Sequence, residues 1–250
     1  MPNQQHLDLL KKGITFWNQW RRENPEIIPD FEQAKLKGVN LQGVNLQSAN
    51  LIAIDLQKAN LQEANLIDSD LRWSDLQKAD LQGANLRQAD LEAANLQGAN
   101  LQGANLQWVD LQWSYLQGVN LQQADIQGVD LLQAGLEGAN LQGANLQGAN
   151  LEMADLEGAN LEGANLTLAN LTLANLTNAN LSKVQALNTN FTKANFTGAC
   201  IEDWNINSDT EFEQVICHYI YLKQGEQKRR PTNILRIFRE GEFMAIIQKR

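Results

Sequence analysis

Imidazole and thiol are scarce in this chain: two histidines, His6 and His218, and two cysteines, Cys200 and Cys217, in 250 residues. A structural zinc site uses four such ligands, and a triad needs a histidine beside its nucleophile. Histidines at opposite ends leave little to build with. No GxSxG, P-loop, GxGxxG or CxxC motif occurs. Carboxylates and aromatic rings are better supplied. Asp70, Asp90, Asp110 and Asp130 recur at intervals of twenty, and Trp73, Trp108, Trp113 and Tyr115 interrupt a stretch rich in Gln, Gly, Ala, Asn and Leu. A carboxylate array attracts cationic surfaces, and exposed rings anchor protein interfaces. Neither is catalytic chemistry, because carboxylates bathed in water lack the tuned pKa of an acid/base pair. The expectation is no catalytic residue, no cofactor and no metal.

What positions these side chains is a repeat of period five. From Phe31 to Ile206, 35 of 36 fifth positions hold Leu, Ile or Phe, and Ala186 alone departs. Calling each such centre i, a small or β-branched residue usually stands at i−2 and Asn or Asp at i−1, as in Ala99-Asn100-Leu101-Gln102-Gly103. Neither a 3.6-residue helix nor a two-residue strand period accommodates this spacing. It predicts a coil with one flat side per five residues. Positions i−2 and i then stack inward on their equivalents in the next turn, and i−1, i+1 and i+2 face water. Glycine at i+2 suits corners of positive φ.

This pattern resembles the pentapeptide-repeat family, whose motif is A(D/N)LXX, over about 70% of the chain. The segments WNQWRRENP and DWNINSD…YIYLK…RRP resemble the flanks of cyanobacterial members. The resemblance implies an all-β solenoid, a right-handed quadrilateral β-helix with four pentapeptides per coil. Thirty-six pentapeptides then make about nine coils, a rod on the order of 40–45 Å long at roughly 4.8 Å per layer. Its lumen would be filled by Leu and Ala, leaving none of the concave space that a small-molecule site needs.

The chain divides into residues 1–28, an N-terminal helical cap; 29–222, the β-helix; and 223–250, a basic C-terminal tail. Leu7, Leu10, Ile14 and Trp17 predict one amphipathic helix over 4–22. Past Ile206 the register slips by one residue, with Thr210/Phe212, Val215/Cys217 and Ile220/Leu222 making a partial last coil. Cys200 is expected outward and Cys217 inward. At Ala186 a bulge could let Leu187 fill the vacant place. Trp17, Trp20 and Trp204 read as packing residues at the two ends.

Twenty-residue coils turn intervals into columns. One i−1 column runs Asp30, Asn50, Asp70, Asp90, Asp110, Asp130, Asn150, Asn170. Like charges about 4.8 Å apart repel by about 1 kcal/mol even in a water-like dielectric. The i+2 column holds Trp73, Ala93, Trp113, Gln133, Met153 and Leu173, with Trp108 and Tyr115 flanking Trp113 and Leu132 and Leu168 nearby. Either the N-terminal helix or the tail folds back over this stripe, or the rings flatten on the coil, or they form an interface. Lys228-Arg229-Arg230 reads as a solvated run or as a contact to the acidic rod.

Net charge is −9, and no Lys or Arg occurs between Arg87 and Lys183. That argues against direct nucleic-acid binding, which needs a cationic surface. No apolar run is long enough for a membrane span. The polar start MPNQQHLDLLKK lacks the order of an export signal, and two cysteines make no disulfide framework, so a cytoplasmic setting is expected. The functional expectation is a non-catalytic rod that binds an unidentified protein through Asp70, Asp90, Asp110, Asp130, Trp73, Trp108, Trp113 and Tyr115. One alternative, which the family resemblance suggests, is an acidic DNA mimic that binds DNA gyrase or another topoisomerase. A second is a homo-oligomeric scaffold joined through the aromatic stripe.

Overall fold

A computed structural model describes residues 1–239 and 241–247; the parts of the expected tail at 240 and 248–250 lie outside it. The repeat closes on itself every four pentapeptides. Parallel bridges link each i−1 residue to the one twenty positions later, from Asp30↔Asn50 to Gln185↔Asn205, one residue per side of the coil. Around each bridge the amides point alternately up and down the rod. Leu101 donates to Asn120 above (2.7 Å), Gly103 to Gln122 above (3.0 Å), and Asn100 to Ala79 below (2.9 Å). At the corner Ala99 N–H donates back to the Leu96 carbonyl (2.9 Å), and Gly98 has φ +64°, the signs of a type II turn. The leucine centres and small i−2 residues are buried in one continuous core.

Non-glycine residues occupy many of the same left-handed corners, including Trp73, Trp108 and Trp113 at φ 55–60°. The Asn/Asp position does more than face water. Its Oδ1 accepts the N–H two residues on, as Asn100 does from Gln102 (3.3 Å) and Asp110 from Gln112 (2.9 Å), so each side carries an Asx turn. Many Asn Nδ2 groups donate to the Oδ1 one coil below, as in Asn170→Asn150 (3.2 Å). The slot thus holds both its own corner and its neighbour.

The N-terminal segment corrects the expected single helix. Helix α1 (Gln4–Lys11) and helix α2 (Ile14–Glu23) are separated at Gly13, whose φ of +107° is not helical. Lacking a Cβ, Gly13 can take that angle where another residue would be strained. The break lets α1 and α2 meet two parts of the first coil's lower edge. Asn3 N–H donates to the Asp30 carbonyl and Asp30 N–H to His6 Nδ1 (2.9 Å). From α2, Trp17 Nε1 donates to Asn45 O (2.8 Å), Asn18 Oδ1 accepts from Asn45 N (2.8 Å), and Arg21 donates to Gln47 O (3.0 Å). Side chains here replace a missing coil. Burial lowers the His6 pKa, which favours the neutral ring that accepts at Nδ1.

At the far end bridges run at an offset of 21, Asn190↔Glu211, Asn195↔Ile216 and Cys200↔Tyr221, which is the one-residue slip. No bulge forms at Ala186: its N–H donates to Asn205 O (2.7 Å) in register, and Leu187 is half-buried at i+1. Rings gather beyond it. Phe191 stacks on Phe212 (5.4 Å), and Trp204 lies 5.7 Å from Phe212 and 6.0 Å from Phe196. Strands β1 (Ile220–Lys223) and β2 (Gln227–Arg230) pair antiparallel, and helix α3 (Glu242–Ile247) sets Phe243 against Phe196 (5.6 Å). Cys200 and Cys217 are unpaired, and burial pushes the Cys217 thiol up to about 12.

Candidate interaction face

The side of the coil centred on Leu111 begins at the Trp108 corner, carries Asp110 and Gln112, and ends at the Trp113 corner. Because coils stack at intervals of twenty, the acidic column therefore runs up the middle of one face, with Trp73 and Trp113 along one edge and Trp108 along the other. Bridges join Asp70↔Asp90, Asp90↔Asp110 and Asp110↔Asp130, with Asn50 below and Asn150 above. Tyr115 lies round the Trp113 corner, on the neighbouring side between Asn95 and Gly135. The structure thus brings seven of the eight expected residues onto one face and its edges, and sets Tyr115 beside it.

Each aspartate is oriented by the backbone: Oδ1 accepts from Arg72, Glu92, Gln112 or Leu132 N–H at 2.9–3.3 Å. Reasoning from sequence missed what else touches the column. Arg72 grips Asp70 through Nε (2.9 Å) and NH2 (2.6 Å), approaches Asp90 (3.4 Å), and lies 5.6 Å from the Trp73 ring centre. The signal was available, since Arg72 sits two residues after Asp70. The guanidinium holds the Asp70 carboxyl below its usual range. Asp110 is pushed the other way, first by burial and then by Asp90 and Asp130. Its neighbours are amides: Gln112 Nε2 reaches Asp130 Oδ2 (3.0 Å) and Asp110 Oδ2 (3.3 Å), and Asn150 Nδ2 donates to Asp130 (2.9 Å). Among the described residues no ion pair reaches Asp110 or Asp130.

The edges are exposed. Trp73, Trp108 and Trp113 keep 57%, 62% and 46% of their surface in solvent, and Met153, Leu168 and Leu173 continue the two columns upward. Trp113 Nε1 donates to Gln133 Oε1 (2.6 Å) one coil above. The Trp108 ring lies against Gly128, where an added Cβ would overlap it. These contacts set the rings on the coil while leaving their outer surfaces free. The described terminal segments do not fold back over the stripe, as one sequence reading had it: α2 bonds to residues 43–47, and the C-terminal elements pack on rings at 191–219. Backbone edges and lumen rings at the rod's ends offer them more partners than a finished side wall does. Nor does the basic run reach the acidic column. Arg229 is held over Tyr219 (4.3 Å) and donates to Pro231 and Asn233 carbonyls.

Leucine and alanine fill the interior, so clefts lie outside it. One of about 340 Å³ is lined by Cys200, Tyr219, Tyr221 and Gln224, and one of about 430 Å³ by Leu7, Leu10, Ile14 and Leu36. Among the described residues no cluster of His, Cys, Asp or Glu is placed to hold a metal, and no helix is long and apolar enough to cross a membrane.

A solenoid of four five-residue sides per coil defines a class, and the chain falls within it. It belongs to the pentapeptide-repeat family: the model described as Pentapeptide repeats matches in eight copies, from residues 30–62 to 169–203. The fold of that family is the right-handed quadrilateral β-helix. Among solved structures the chain is similar to HetL, a pentapeptide repeat protein involved in heterocyst differentiation regulation from the cyanobacterium Nostoc sp. strain PCC 7120. Identity is 25% over 81% of this chain and 94% of that one, with a TM-score of 0.43. A pentapeptide repeat protein of the Arabidopsis thaliana thylakoid lumen is 42% identical over 40% of this chain and 70% of its own, with a TM-score of 0.39. QnrB1, a plasmid-mediated fluoroquinolone resistance protein, is 17% identical over 72% and 89%, with a TM-score of 0.38. No curated protein matches the chain.

Proposed function

We propose that this chain is a non-catalytic rod of about nine coils, closed by α1 and α2 as its N-terminal cap, that binds a partner protein through the face carrying Asp70, Asp90, Asp110 and Asp130. The observation that carries the reading is the concentration of exposed tryptophans on both edges of one acidic side, on a rod whose other corners are mostly Gly and polar. Large rings left in water are costly unless something covers them, and aromatic anchors dominate interface energetics. Unpaired Cys200 and Cys217 favour a reducing compartment, the cytoplasm. The test is affinity capture with wild-type chain and the Trp108→Gln/Trp113→Gln variant side by side. A protein held by the first and lost by the second supports the reading; an identical catch overturns it. A wild-type dimer in light scattering that the variant returns to monomer makes the partner a second copy.

The gyrase-binding alternative draws on the same four aspartates. Three layer spacings span only on the order of 15 Å, whereas one turn of DNA is about 34 Å. Arg72 also cancels charge at the lower end, and Asn150 ends the ladder at the upper. Such a short, partly paired array resembles a duplex poorly, and unaltered supercoiling at micromolar protein would dismiss that reading.

A further inference from the structure

Translating the rod by two coils carries Asp70, Trp73 and Asp90 onto Asp110, Trp113 and Asp130. The lower set holds a guanidinium, because Arg72 follows Asp70; the upper set has Gln112 in that place. Gln112 copies the bridging geometry, touching Asp110 and Asp130, but brings no charge. We propose that the upper set docks an arginine of a partner protein's cationic segment, its guanidinium displacing the Gln112 amide from between Asp110 and Asp130 and lying against Trp113 as Arg72 sits between Asp70 and Asp90 against Trp73.

The inference rests on the interaction-rod reading and names the partner's chemistry. Charge complementarity selects it: between Arg87 and Lys183 the chain has ten acidic residues and no Lys or Arg. Burial and two like-charged neighbours already push the Asp110 carboxyl upward, a repulsion that an arriving cation relieves. Trp113 is oriented in advance by its bond to Gln133, and half-buried Leu132 and exposed Trp108 offer apolar surface beside the seat. A guanidinium suits this better than an ammonium. It presents a flat fork to two carboxylates and stacks on an indole while they hold its edge. Arg229 of a second copy is not the source, since it is committed to Tyr219 and to backbone carbonyls.

The test follows the Trp113 indole N–H signal of the full chain during titration with a blocked decapeptide carrying three arginines, and with its lysine and citrulline versions. The arginine peptide should shift that signal and bind at least about fivefold more tightly than the lysine peptide, with no binding by citrulline. Asp110→Asn/Asp130→Asn should weaken binding by about tenfold or more. That variant keeps the fold, since Asn50, Asn150 and Asn170 make the same Asx bond in this column. Gln112→Arg should occupy the seat from within and block the peptide. Equal binding of the arginine and lysine peptides, or binding indifferent to either variant, overturns the proposal. So does a wild-type dimer that Asp110→Asn/Asp130→Asn dissolves, because the occupant is then a second copy. The two readings also fail separately. A captured partner lost by Trp108→Gln/Trp113→Gln but kept by Gln112→Arg and Asp110→Asn/Asp130→Asn leaves the rod and removes the arginine seat.

Discussion

Asp70 and Asp110 occupy the same column with the same backbone bond, yet their charges have opposite consequences. The folded-state pKa of Asp70 is lowered by Arg72, so its contribution is present above the unfolded pKa and lost as pH falls through the folded value. Asp70→Asn should therefore cost about 0.5 kcal/mol at pH 7, the size of a solvent-screened pair, and nothing at strongly acid pH. The folded pKa of Asp110 is raised, so its ionised form destabilises at neutral pH and the penalty fades as pH drops through that value. Asp110→Asn should gain about 0.5 kcal/mol at pH 7, with the gain vanishing in acid. Urea unfolding of both variants at pH 7 and near pH 2 reads the signs, and a loss for Asp110→Asn at pH 7 contradicts the assignment. Gly128 and Gly138 make a second pair. Both sit at positive φ (63° and 65°), so alanine costs about 1 kcal/mol at either. Only at Gly128 would the new Cβ meet the Trp108 ring. Gly128→Ala should move the Trp108 indole resonance, and Gly138→Ala should leave it in place.

One coil is the element of this protein. Its five-residue side was readable from the spacing, because each side repeats the same local conflict between an apolar centre and polar corners, whereas four sides per coil came only with the family resemblance. Less readable was the role of Asn and Asp. A polar residue every fifth position looks like solvated wall, whereas Oδ1 closes an Asx turn and Asn Nδ2 reaches the coil below. The helix break at Gly13 was also obscured, since Leu10, Ile14 and Trp17 keep helical spacing across it. Within the coil the centres should be the costly positions. Leu141 is fully buried, and Leu141→Ala should lose about 2–5 kcal/mol, with little room for the stacked layers to collapse. Thermal unfolding checks this, and a loss below about 1 kcal/mol would mean that the lumen tolerates voids.

For the whole molecule the decisive property is that a stack of coils has two ends. At the N-terminal end Trp17, Asn18 and Arg21 take up backbone groups of residues 43–47 that another coil would otherwise meet. An uncovered edge is a template for pairing with another chain. Trp17→Ala should release α1 and α2 from Phe31 and Asn45, at a local cost of about 3–5 kcal/mol. Amide exchange should then quicken over residues 30–50 while residues 100–160 stay protected, and light scattering should show concentration-dependent association. Uniform exchange along the rod would mean that the coils do not depend on this end. The candidate face belongs to this scale too, because its acidic column exists only when four coils are stacked.

The chain's own spacing determined the solenoid: an apolar residue at every fifth position satisfies neither helix nor strand, so each side is decided locally and repetition does the rest. It likewise determined that Trp108, Asp110 and Trp113 share one side, since they lie within six consecutive residues. Only the folded rod decided that Arg72 reaches Asp90, that Gln112 spans Asp110 and Asp130, and that the described terminal segments pack at the ends and leave Trp73, Trp108 and Trp113 exposed. Those contacts join residues a full coil apart, or join unique segments to open edges, and such neighbours come into being only when the coils stack.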